Sequence, residues 1–347
     1  MVEIKYVVHK SIYKFGYQKA KLQRFNKFES STGRRFLIGG VEYGNYGDHA
    51  INLGEYEWFK RQNTPFIEIP ESEISDFISH GQGRFSVDDE FYFQGGGNMG
   101  DLWPQQEMWR QDLIEAFPEN KIVIFPQSVN YDPTDNTLLN RTIAVSAKAK
   151  NLTILLRDKR SYEFVKDHFP NSVNVCLVPD MVLTLKGQNS NKRTIDVGLL
   201  MRSDKELVND DVKNQFVRDL LNSKSYSVSQ SDTVTKYMHY VTKKDRAKFL
   251  QKKLDEVGNS KVVVTDRLHG MIFALITSTP VIVFDNSTHK IKNLIETWLA
   301  DFDNIYFVDE TDSTNNLHEI LDSFVNNSAK KTYSQSEEFA RVLDGAF

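Results

Sequence analysis

The amino-acid sequence predicts an α/β protein with two Rossmann-like, doubly wound domains that face a cleft, the arrangement called GT-B-like. Short, continuous runs of Val, Ile, Leu and Phe alternate with helical segments, which is typical of parallel strands buried on both faces. The length of 347 residues suits two domains. A polar segment of linker composition, residues 186–193, lies near the middle of the chain.

The first half of the chain contains a series of predicted strands, each of which ends in a turn of small or polar residues. These strands are residues 35–38, 91–93, 122–125, 153–156 and 175–178. Helices are predicted over residues 49–61 and 161–168, after two of the turns. Ligands of such sheets bind beyond the carboxyl ends of the strands, so the turns are the expected place of a functional site.

The second half repeats this alternation of strands and helices. Its predicted strands are residues 195–200, 226–229, 261–265, 281–284 and 305–308. A buried helix is predicted to follow the third of these strands and to end at Ile276. The predicted division of the chain is a basic arm (1–33), an N-terminal domain (34–188), a C-terminal domain (192–312) and a helical tail (313–347).

Composition and charge narrow the class of protein. Hydrophobic residues make up 40% and charged residues 26%, which is typical of a folded soluble protein. The net charge of −4 disfavours a nucleic-acid partner. Cys176 is the only cysteine, and we find neither a secretory signal nor an apolar run long enough to span a bilayer. We therefore expect a cytoplasmic protein.

The N-terminal arm is strongly basic. Residues 1–35 contain nine Lys or Arg against two Glu, a net charge of +7, together with several aromatic residues. This combination is typical of a segment that contacts an anionic membrane surface, here the inner face of the membrane. The alternative is a solvated helix that packs on the body of the protein.

Two glycine-rich segments, residues 39–48 and 94–101, follow the first two predicted strands. We expect each to form a loop that opens a helix, with Asp48 or Asp101 as the helix cap or as a ligand contact. Neither segment matches the dinucleotide fingerprint or the Walker A loop, which disfavours a nicotinamide-dependent or ATP-dependent enzyme. Tight packing turns capped by Asp are the alternative.

Cationic residues follow two of the buried strands. Arg157 ends one of them and needs a partner, either Asp158 or a bound carboxylate or phosphate. Arg267 offers a planar fork for the same anions, and His269 can exchange a proton near neutral pH. Together they predict a site for a small, strongly anionic ligand. Structural pairing of Arg157 and a packing role for Leu268 are the alternatives.

The ordered set of these motifs resembles the polysaccharide pyruvyl transferase family. The matching segments span roughly residues 36 to 300 and are Gly44–Asp48, Gly95–Trp103, Pro126–Ser128, Arg157–Asp158 with Ser161, Pro179–Asp180, and Thr265–Gly270 with Pro280, Asp285 and Asn286. The resemblance implies a GT-B-like pair of domains. It also implies transfer of the pyruvyl group of phosphoenolpyruvate to a sugar of an exopolysaccharide or capsular polysaccharide precursor, which gives a cyclic pyruvate ketal and free phosphate.

The resemblance further assigns roles to particular residues. Phosphoenolpyruvate is expected to contact Arg157, Arg267, Leu268 and His269, with the C-terminal domain on the donor side. The residues expected on the acceptor side, in the N-terminal domain, are Asn45, Asp48, Asn98, Gln127 and Ser128. We expect His269 to transfer a proton or contact phosphate, and Asp101 to act as the base on the acceptor hydroxyl. The chemistry requires neither a metal nor a cofactor beyond phosphoenolpyruvate as co-substrate.

Two other functions remain as alternatives at this stage. The first is a sugar-nucleotide-dependent glycosyltransferase on the same fold, and the second is a catalytically silent glycan-binding or assembly subunit. The joint presence of Asp101, Arg157, Arg267 and His269 disfavours the silent subunit. The sequence leaves open the acceptor sugar, whether the acceptor is lipid-linked or polymeric, and whether the protein forms an oligomer.

Overall fold

The computed structural model contains two parallel β-sheets with helices packed on them. It describes residues 33–187, 193–204, 206–208, 210–235, 240–326 and 333–347. The basic arm, apart from Gly33, and the predicted boundary between the two domains lie outside the described residues. The predicted fold class, two Rossmann-like doubly wound domains that face a cleft, is confirmed.

The N-terminal domain is built on a seven-stranded sheet. Its strands are β1 (Arg35–Gly40), β2 (Ile67–Pro70), β3 (Glu90–Phe93), β4 (Gly96–Gly100), β5 (Lys121–Asn130), β6 (Asn151–Leu156) and β7 (Asn174–Leu177). The strand order is β2-β1-β3-β5-β6-β7, with β4 paired to β5. All these pairs are parallel. The apolar side chains of β1, β5 and β6 are buried, as the continuous hydrophobic runs predict.

Helices connect these strands and cover the sheet. They are α1 (Tyr46–Arg61), α2 (Ile74–Gly81), α3 (Pro104–Ala116), α4 (Thr137–Ser146) and α5 (Lys159–His168), with short 3₁₀ turns at Glu71–Glu73 and Met181–Thr184. The cap of α1 is Asn45 rather than the expected Asp48, because Asn45 Oδ1 accepts a hydrogen bond from the Gly47 amide at 2.9 Å. Asp101 caps no helix, since α3 begins after Trp103 without a side-chain cap.

The second glycine-rich segment is the main correction to the predicted elements. Residues 96–100 form β4 instead of a loop, because β5 runs on to Asn130 and offers its second half as a pairing edge. Gly96 and Gly100 have φ values of 141° and 126°, which favour glycine, so the residues that suggested a loop allow an irregular strand. The extension of β5 also places Gln127 and Ser128 inside a strand rather than in the predicted turn.

The C-terminal domain is built on a five-stranded parallel sheet. Its strands are β8 (Ile195–Leu200), β9 (Val228–Ser231), β10 (Ser260–Thr265), β11 (Val281–Val283) and β12 (Ile305–Phe307), in the order β12-β11-β10-β8-β9. Its helices are α6 (Asp211–Asn222), α7 (Arg246–Gly258), α8 (Leu268–Ile276), α9 (Lys290–Leu294) with the π-helical segment Ile295–Leu299, and α10 (Thr314–Asn326). The last helix of the chain is α11 (Ser336–Asp344).

The predicted helical tail divides between the two domains. Leu317 and Leu321 of α10 belong to an apolar cluster of the C-terminal domain. Helix α11 instead returns to the N-terminal domain, where Asp344 pairs with Arg61 at 3.0 Å and the Phe347 ring lies 4.4 Å from that of Trp58. A shared apolar cluster also contains residues of both sheets. The two domains are therefore packed against each other on the side of α1 and α7.

Candidate active site

A cavity of about 520 Å³ lies between the two domains and is lined by residues of both. On the N-terminal side, the lining comes from β4 and from the segments that follow β1, β2, β4 and β6. On the C-terminal side, it comes from the segments that follow β8, β9, β10 and β11. This is the position beyond the carboxyl ends of parallel strands where the fold predicts a ligand.

Arg157 follows β6 and is buried at the bottom of the cavity, with 2% of its surface exposed. Its Nε donates to Ser128 Oγ at 2.8 Å, and its Nη1 donates to Asp180 Oδ2 at 2.7 Å. The ion-pair partner is therefore Asp180 and not the neighbouring Asp158, which instead caps α5. These contacts compensate the burial of the cation and fix the guanidinium plane.

The remaining guanidinium nitrogen of Arg157 lies against Gly97 of β4. A Cβ atom on Gly97 would be 2.9 Å from Arg157 Nη2 and 3.0 Å from Lys290 Nζ. Lys290 comes from the other domain, where its Nζ lies 3.3 Å from Glu206 Oε1, and it donates to the Gly97 carbonyl at 3.3 Å. Burial lowers the pKa of the Lys290 ammonium, and Glu206 opposes this shift. We call Gly97 with Arg157 and Lys290 the cation cradle.

His269 lies beside the cation cradle in the first turn of α8. Its Nε2 is 3.8 Å from Asp180 Oδ2 and has no hydrogen-bond partner among the described residues, although it is buried. Burial alone would raise the pKa of the Asp180 carboxyl, but Arg157 and His269 hold it well below its usual range. The first two residues of α8, Leu268 and His269, line the cavity, so the positive end of this helix faces the cavity. No side chain caps this end of the helix, which leaves its amides to a ligand.

Arg267 and Leu268 also line the cavity, but their contacts differ from those expected of side chains that are free to bind an anion. Arg267 Nε and Nη2 each donate to Asp232 at 2.7 Å, and its Nη1 donates to Asp204. Two carboxylates thus already balance its charge. Leu268 is 7% exposed and belongs to the apolar cluster that the domains share.

Three of the residues predicted on the acceptor side line the cavity. They are Asn45, Asp48 and Asn98. Tyr43 donates its hydroxyl to Asp48 Oδ2 at 2.8 Å. The recessed position of Asp48 raises the pKa of its carboxyl, and the nearby His269, Tyr43, Arg157 and Lys290 limit this rise. A carboxylate with a raised pKa next to cations is suited to accept a proton.

The structure does not bring Gln127, Ser128 or Asp101 to the cavity. Gln127 is fully buried behind it, where its Nε2 donates to the Gln94 carbonyl at 2.8 Å. Ser128 donates to Asp158 at 2.7 Å while accepting from Arg157, so it positions that arginine. Asp101 Oδ2 accepts from the Asp132 amide at 2.6 Å in the segment between β4 and α3.

Several cavity residues were not among the predicted site residues. They include Tyr43, Glu71, Trp103, Gln106, Arg202 and Lys290. Trp103 lies within the motif Gly95–Trp103, so that motif is the signal that could have identified it. Lys290 has no local signal, because only the packing of α9 across the cleft brings its Nζ to Gly97. None of the helices in the described ranges combines the length and the apolar run that crossing a bilayer requires.

Two parallel α/β domains that meet at a polar cleft form a GT-B-like arrangement. The chain belongs to the polysaccharide pyruvyl transferase family, whose model matches residues 45–288, and it is an enzyme of that class. It is 33% identical over 314 residues to general stress protein 30 of Bacillus subtilis, covering 89% of this chain and 90% of that protein. It is 31% identical over 279 residues to pyruvyl transferase 1 of Schizosaccharomyces pombe, covering 76% and 69% of the two chains.

The fold also matches a solved structure. The crystal structure of a functionally uncharacterized protein from Klebsiella pneumoniae covers 84% of this chain and 98% of its own, with a TM-score of 0.57 at 20% identity. This similarity concerns the fold alone. The family model and the relatives confirm the family predicted from the ordered motifs, and this family implies a glycan acceptor.

Proposed function

We propose that the protein transfers the pyruvyl group of phosphoenolpyruvate to a sugar of a surface polysaccharide precursor, forming a cyclic ketal and free phosphate. The main observation behind this proposal is the cation cradle beside the uncapped start of α8. Phosphoenolpyruvate carries a phosphate and a carboxylate that are both attached to C2. Two cations from two domains, together with a helix N-terminus, match such a compact double anion.

The donor binds at the bottom of the cleft in this proposal. Arg157 Nη2, Lys290 Nζ and the first amides of α8 contact its phosphate and carboxylate oxygens. Arg267 and Leu268 border this position and complete its C-terminal wall. Because Asp204 and Asp232 already hold Arg267, we assign that arginine mainly to fixing the start of α8.

The reaction follows from the electronic structure of an enol ester. A proton adds to the methylene carbon, which leaves an electron-poor centre at C2. A sugar hydroxyl attacks C2, the C2–O bond to phosphate breaks, and a second hydroxyl of the same sugar closes the ketal. The two sugar hydroxyls release two protons. One replaces the proton that was added to the methylene carbon, and the other leaves with phosphate.

Two side chains are placed to move these protons. His269 lies against the cation cradle, with its Nε2 3.8 Å from Asp180 Oδ2, and we assign to it the transfer of a proton to the donor. Asp48 lines the same cavity and has a raised pKa, so it accepts a proton from the acceptor hydroxyl. We assign this role to Asp48 in preference to Asp101, which does not line the cavity.

Ligand-dependent thermal unfolding tests the donor. A ligand at 100 times its dissociation constant stabilises the folded state by about 2.7 kcal/mol. We expect this stabilisation with phosphoenolpyruvate but not with UDP-glucose. Arg157→Lys should abolish it, whereas the control Arg160→Lys, at an exposed position on α5, should not. Stabilisation by UDP-glucose alone would instead support a sugar-nucleotide-dependent glycosyltransferase.

The place of the reaction is a separate part of the proposal. We assign it to the cytoplasmic face of a membrane, where the basic arm would bind anionic lipids and bring the enzyme to a lipid-linked acceptor. Flotation with vesicles of anionic lipid tests this location. Deletion of residues 1–28 should release the protein from the vesicles, and unchanged flotation would contradict the proposal.

A further inference from the structure

A further cation, Arg202, lies at the cavity between the two domains. It follows β8 of the C-terminal domain, lines the cavity and is 9% exposed. Its backbone amide donates to Asp266 Oδ1 at 2.8 Å, which fixes the segment after the strand. A buried guanidinium group needs partners for its donors, so any donor that the protein leaves unpaired at a cavity indicates what the side chain binds.

The guanidinium group of Arg202 is held on one side only. Its Nη1 donates to the Glu206 carboxylate and to the Glu206 carbonyl, both at 3.1 Å. Its Nε lies 3.4 Å from Asp204 Oδ1, and Arg267 also pairs with that carboxylate. Among the residues that the structure describes, Nη2 has no hydrogen-bond partner. Arg202 therefore resembles Arg157, since neighbouring carboxylates fix its plane and one nitrogen remains for a ligand.

Glu206 joins Arg202 to the cation cradle. Its Oε2 accepts from Arg202 Nη1 at 3.1 Å and from Lys290 Nζ at 3.3 Å. Asn286 Nδ2 donates to the same oxygen at 2.9 Å, so the carboxylate is fixed between the two cations. Burial is the main cause of the lowered pKa of Lys290, and the nearby charge of Arg202 adds to this shift. The two cations thus lie side by side in the C-terminal domain.

The two domains present different donors to a bound anion. The C-terminal domain offers two charged groups, Arg202 Nη2 and Lys290 Nζ, whereas the N-terminal domain offers Arg157 Nη2. The two anionic groups of phosphoenolpyruvate also differ, because a phosphate carries more negative charge and more acceptor oxygens than a carboxylate. A pair of cations suits the phosphate, and one guanidinium nitrogen suits the carboxylate.

We propose that Arg202 is a donor-binding residue that holds the phosphate of phosphoenolpyruvate together with Lys290, while Arg157 holds the carboxylate. The inference rests on the proposed function and specifies how its donor is oriented. The phosphate lies on the C-terminal domain, and the pyruvyl group faces the N-terminal domain, where Asp48 lines the cavity.

This orientation matches the fate of each group in the reaction. When the C2–O bond to phosphate breaks, its electron pair stays on the phosphate oxygen. Arg202 and Lys290 stabilise the negative charge that develops there. The carboxylate remains attached to C2 and leaves with the sugar, so Arg157 holds the part of the donor that the acceptor receives. Each domain therefore binds the group that ends in a different product.

The test separates the two anionic groups of the donor. Inorganic phosphate carries only the first group, and pyruvate carries only the carboxylate. Isothermal titrations measure the dissociation constants of phosphoenolpyruvate, inorganic phosphate and pyruvate directly. The variants are Arg202→Lys and Arg157→Lys, and the matched control is Arg218→Lys, at an exposed position on α6. Circular dichroism shows whether each variant is folded.

We expect Arg202→Lys to weaken the binding of phosphoenolpyruvate and of inorganic phosphate about thirtyfold, because lysine cannot contact Glu206 and the phosphate at once. Its dissociation constant for pyruvate should stay within about twofold of the unsubstituted protein. Arg157→Lys should instead weaken pyruvate about tenfold and leave inorganic phosphate within about threefold. Arg218→Lys should bind all three ligands as the unsubstituted protein does.

The outcomes separate this inference from the proposed function. If the unsubstituted protein does not bind phosphoenolpyruvate, the proposed function fails. If it binds phosphoenolpyruvate but not inorganic phosphate, the inference about Arg202 is overturned. The same holds if Arg202→Lys binds inorganic phosphate within about twofold of the Arg218→Lys control, or weakens pyruvate as much as phosphate.

The reciprocal variant decides the orientation if Arg202→Lys does not fold. Loss of pyruvate binding in Arg157→Lys, with inorganic phosphate retained, supports the assignment of the carboxylate to Arg157 and of the phosphate to the C-terminal domain. Loss of inorganic phosphate binding with pyruvate retained would reverse the orientation and overturn the inference.

Discussion

Two arginines of this chain are equally buried but differ in what their guanidinium groups leave unbound. Arg157 is 2% exposed and Arg246 is 1% exposed. Every guanidinium nitrogen of Arg246 donates a hydrogen bond: Nε to His49 at 3.1 Å, Nη1 to Tyr56, and Nη2 to Glu68 and to the Val41 carbonyl, both at 2.9 Å. Arg157 has partners on Nε and Nη1, while its Nη2 lies against Gly97 at the cavity.

The comparison shows that the hydrogen bonds of a buried cation, and not its burial, distinguish a structural role from a binding role. Arg246 begins α7 of the C-terminal domain and bonds to α1, β2 and the segment after β1, so its full set of contacts joins the two domains. Arg157 is fixed by Ser128 and Asp180, and its Nη2 has no hydrogen-bond partner within the part of the chain that the structure describes, which leaves this donor for a ligand. We infer function from that remaining donor and not from burial as such.

We expect the largest effect from the substitution Arg157→Lys, which should impair catalysis. Lysine keeps the charge beside Asp180 but cannot reach Asp180, Ser128 and the cavity at once, because it lacks the guanidinium fork. We expect kcat/KM for phosphoenolpyruvate to fall about 10³-fold, equivalent to about 4 kcal/mol. Steady-state phosphate release checks this, with Arg160→Lys as control. Retention of activity within about threefold would remove Arg157 from the donor site.

The matching substitution at the domain junction, Arg246→Lys, should affect stability in place of catalysis. It leaves the buried partners Glu68 and His49 with fewer hydrogen bonds, so we expect the free energy of unfolding to fall by about 3 kcal/mol. Urea unfolding measures this, and Arg341→Lys on the exposed side of α11 is the control. The affinity for phosphoenolpyruvate should stay within about threefold. A loss of that affinity without loss of stability would erase the distinction between the two arginines.

A smaller effect is expected from filling the cation cradle. In Gly97→Ala the new methyl group would lie 2.9 Å from Arg157 Nη2 and 3.0 Å from Lys290 Nζ. Ser128 and Asp180 hold the Arg157 guanidinium in place, so the end of the longer Lys290 side chain must move, and the anion loses its place between the two cations. We expect KM for phosphoenolpyruvate to rise about thirtyfold, or about 2 kcal/mol, with an unchanged melting temperature. Gly345→Ala, where the nearest atom is 3.4 Å away, should be silent.

The smallest effect concerns pH and Glu71, which lines the N-terminal side of the cavity. The pKa of Glu71 is raised to about 7, first by burial and then by Asp48 and Glu42, so its carboxylate is lost as the pH falls through 7. Acceptor kcat/KM should therefore drop about tenfold between pH 8 and pH 6. The Glu71→Gln variant should lack this step, because its side chain does not titrate. A profile with the same step in the variant would assign the step to another group.

Much of the fold follows from local sequence pattern. The buried strands β1, β3, β6, β8, β10 and β11 and the first half of β5 coincide with continuous apolar runs, because a strand covered on both faces favours apolar side chains. Strand β4 was missed, since its glycines are the residues that loops favour and only pairing with the extended β5 makes them a strand. The same extension moved Gln127 and Ser128 from the expected acceptor side into the interior.

The candidate site was predictable only in part, for a related reason. Arg157, His269 and Asp48 follow strands or begin helices, so the topology alone brings them to one cavity. Glu71 also follows a strand, but β2 was not among the predicted strands. Lys290 begins α9 without a local motif, and its contact with Gly97 depends on the packing of distant segments. The partner of Arg157 likewise came from the next strand, as Asp180, and not from the adjacent Asp158. Sequence pattern identifies residues at strand ends better than it identifies their partners.

The most direct test of the central claim follows the fate of the donor carbon. The protein is incubated with phosphoenolpyruvate labelled with ¹³C at C2 and with a neutral methyl glycoside, and the mixture is followed by ¹³C and ³¹P nuclear magnetic resonance. We expect the labelled carbon to change from an enol to a ketal carbon while inorganic phosphate appears in equal amount, with no change in Arg157→Lys. Unaltered phosphoenolpyruvate, beside consumption of a sugar nucleotide supplied in its place, would contradict the account.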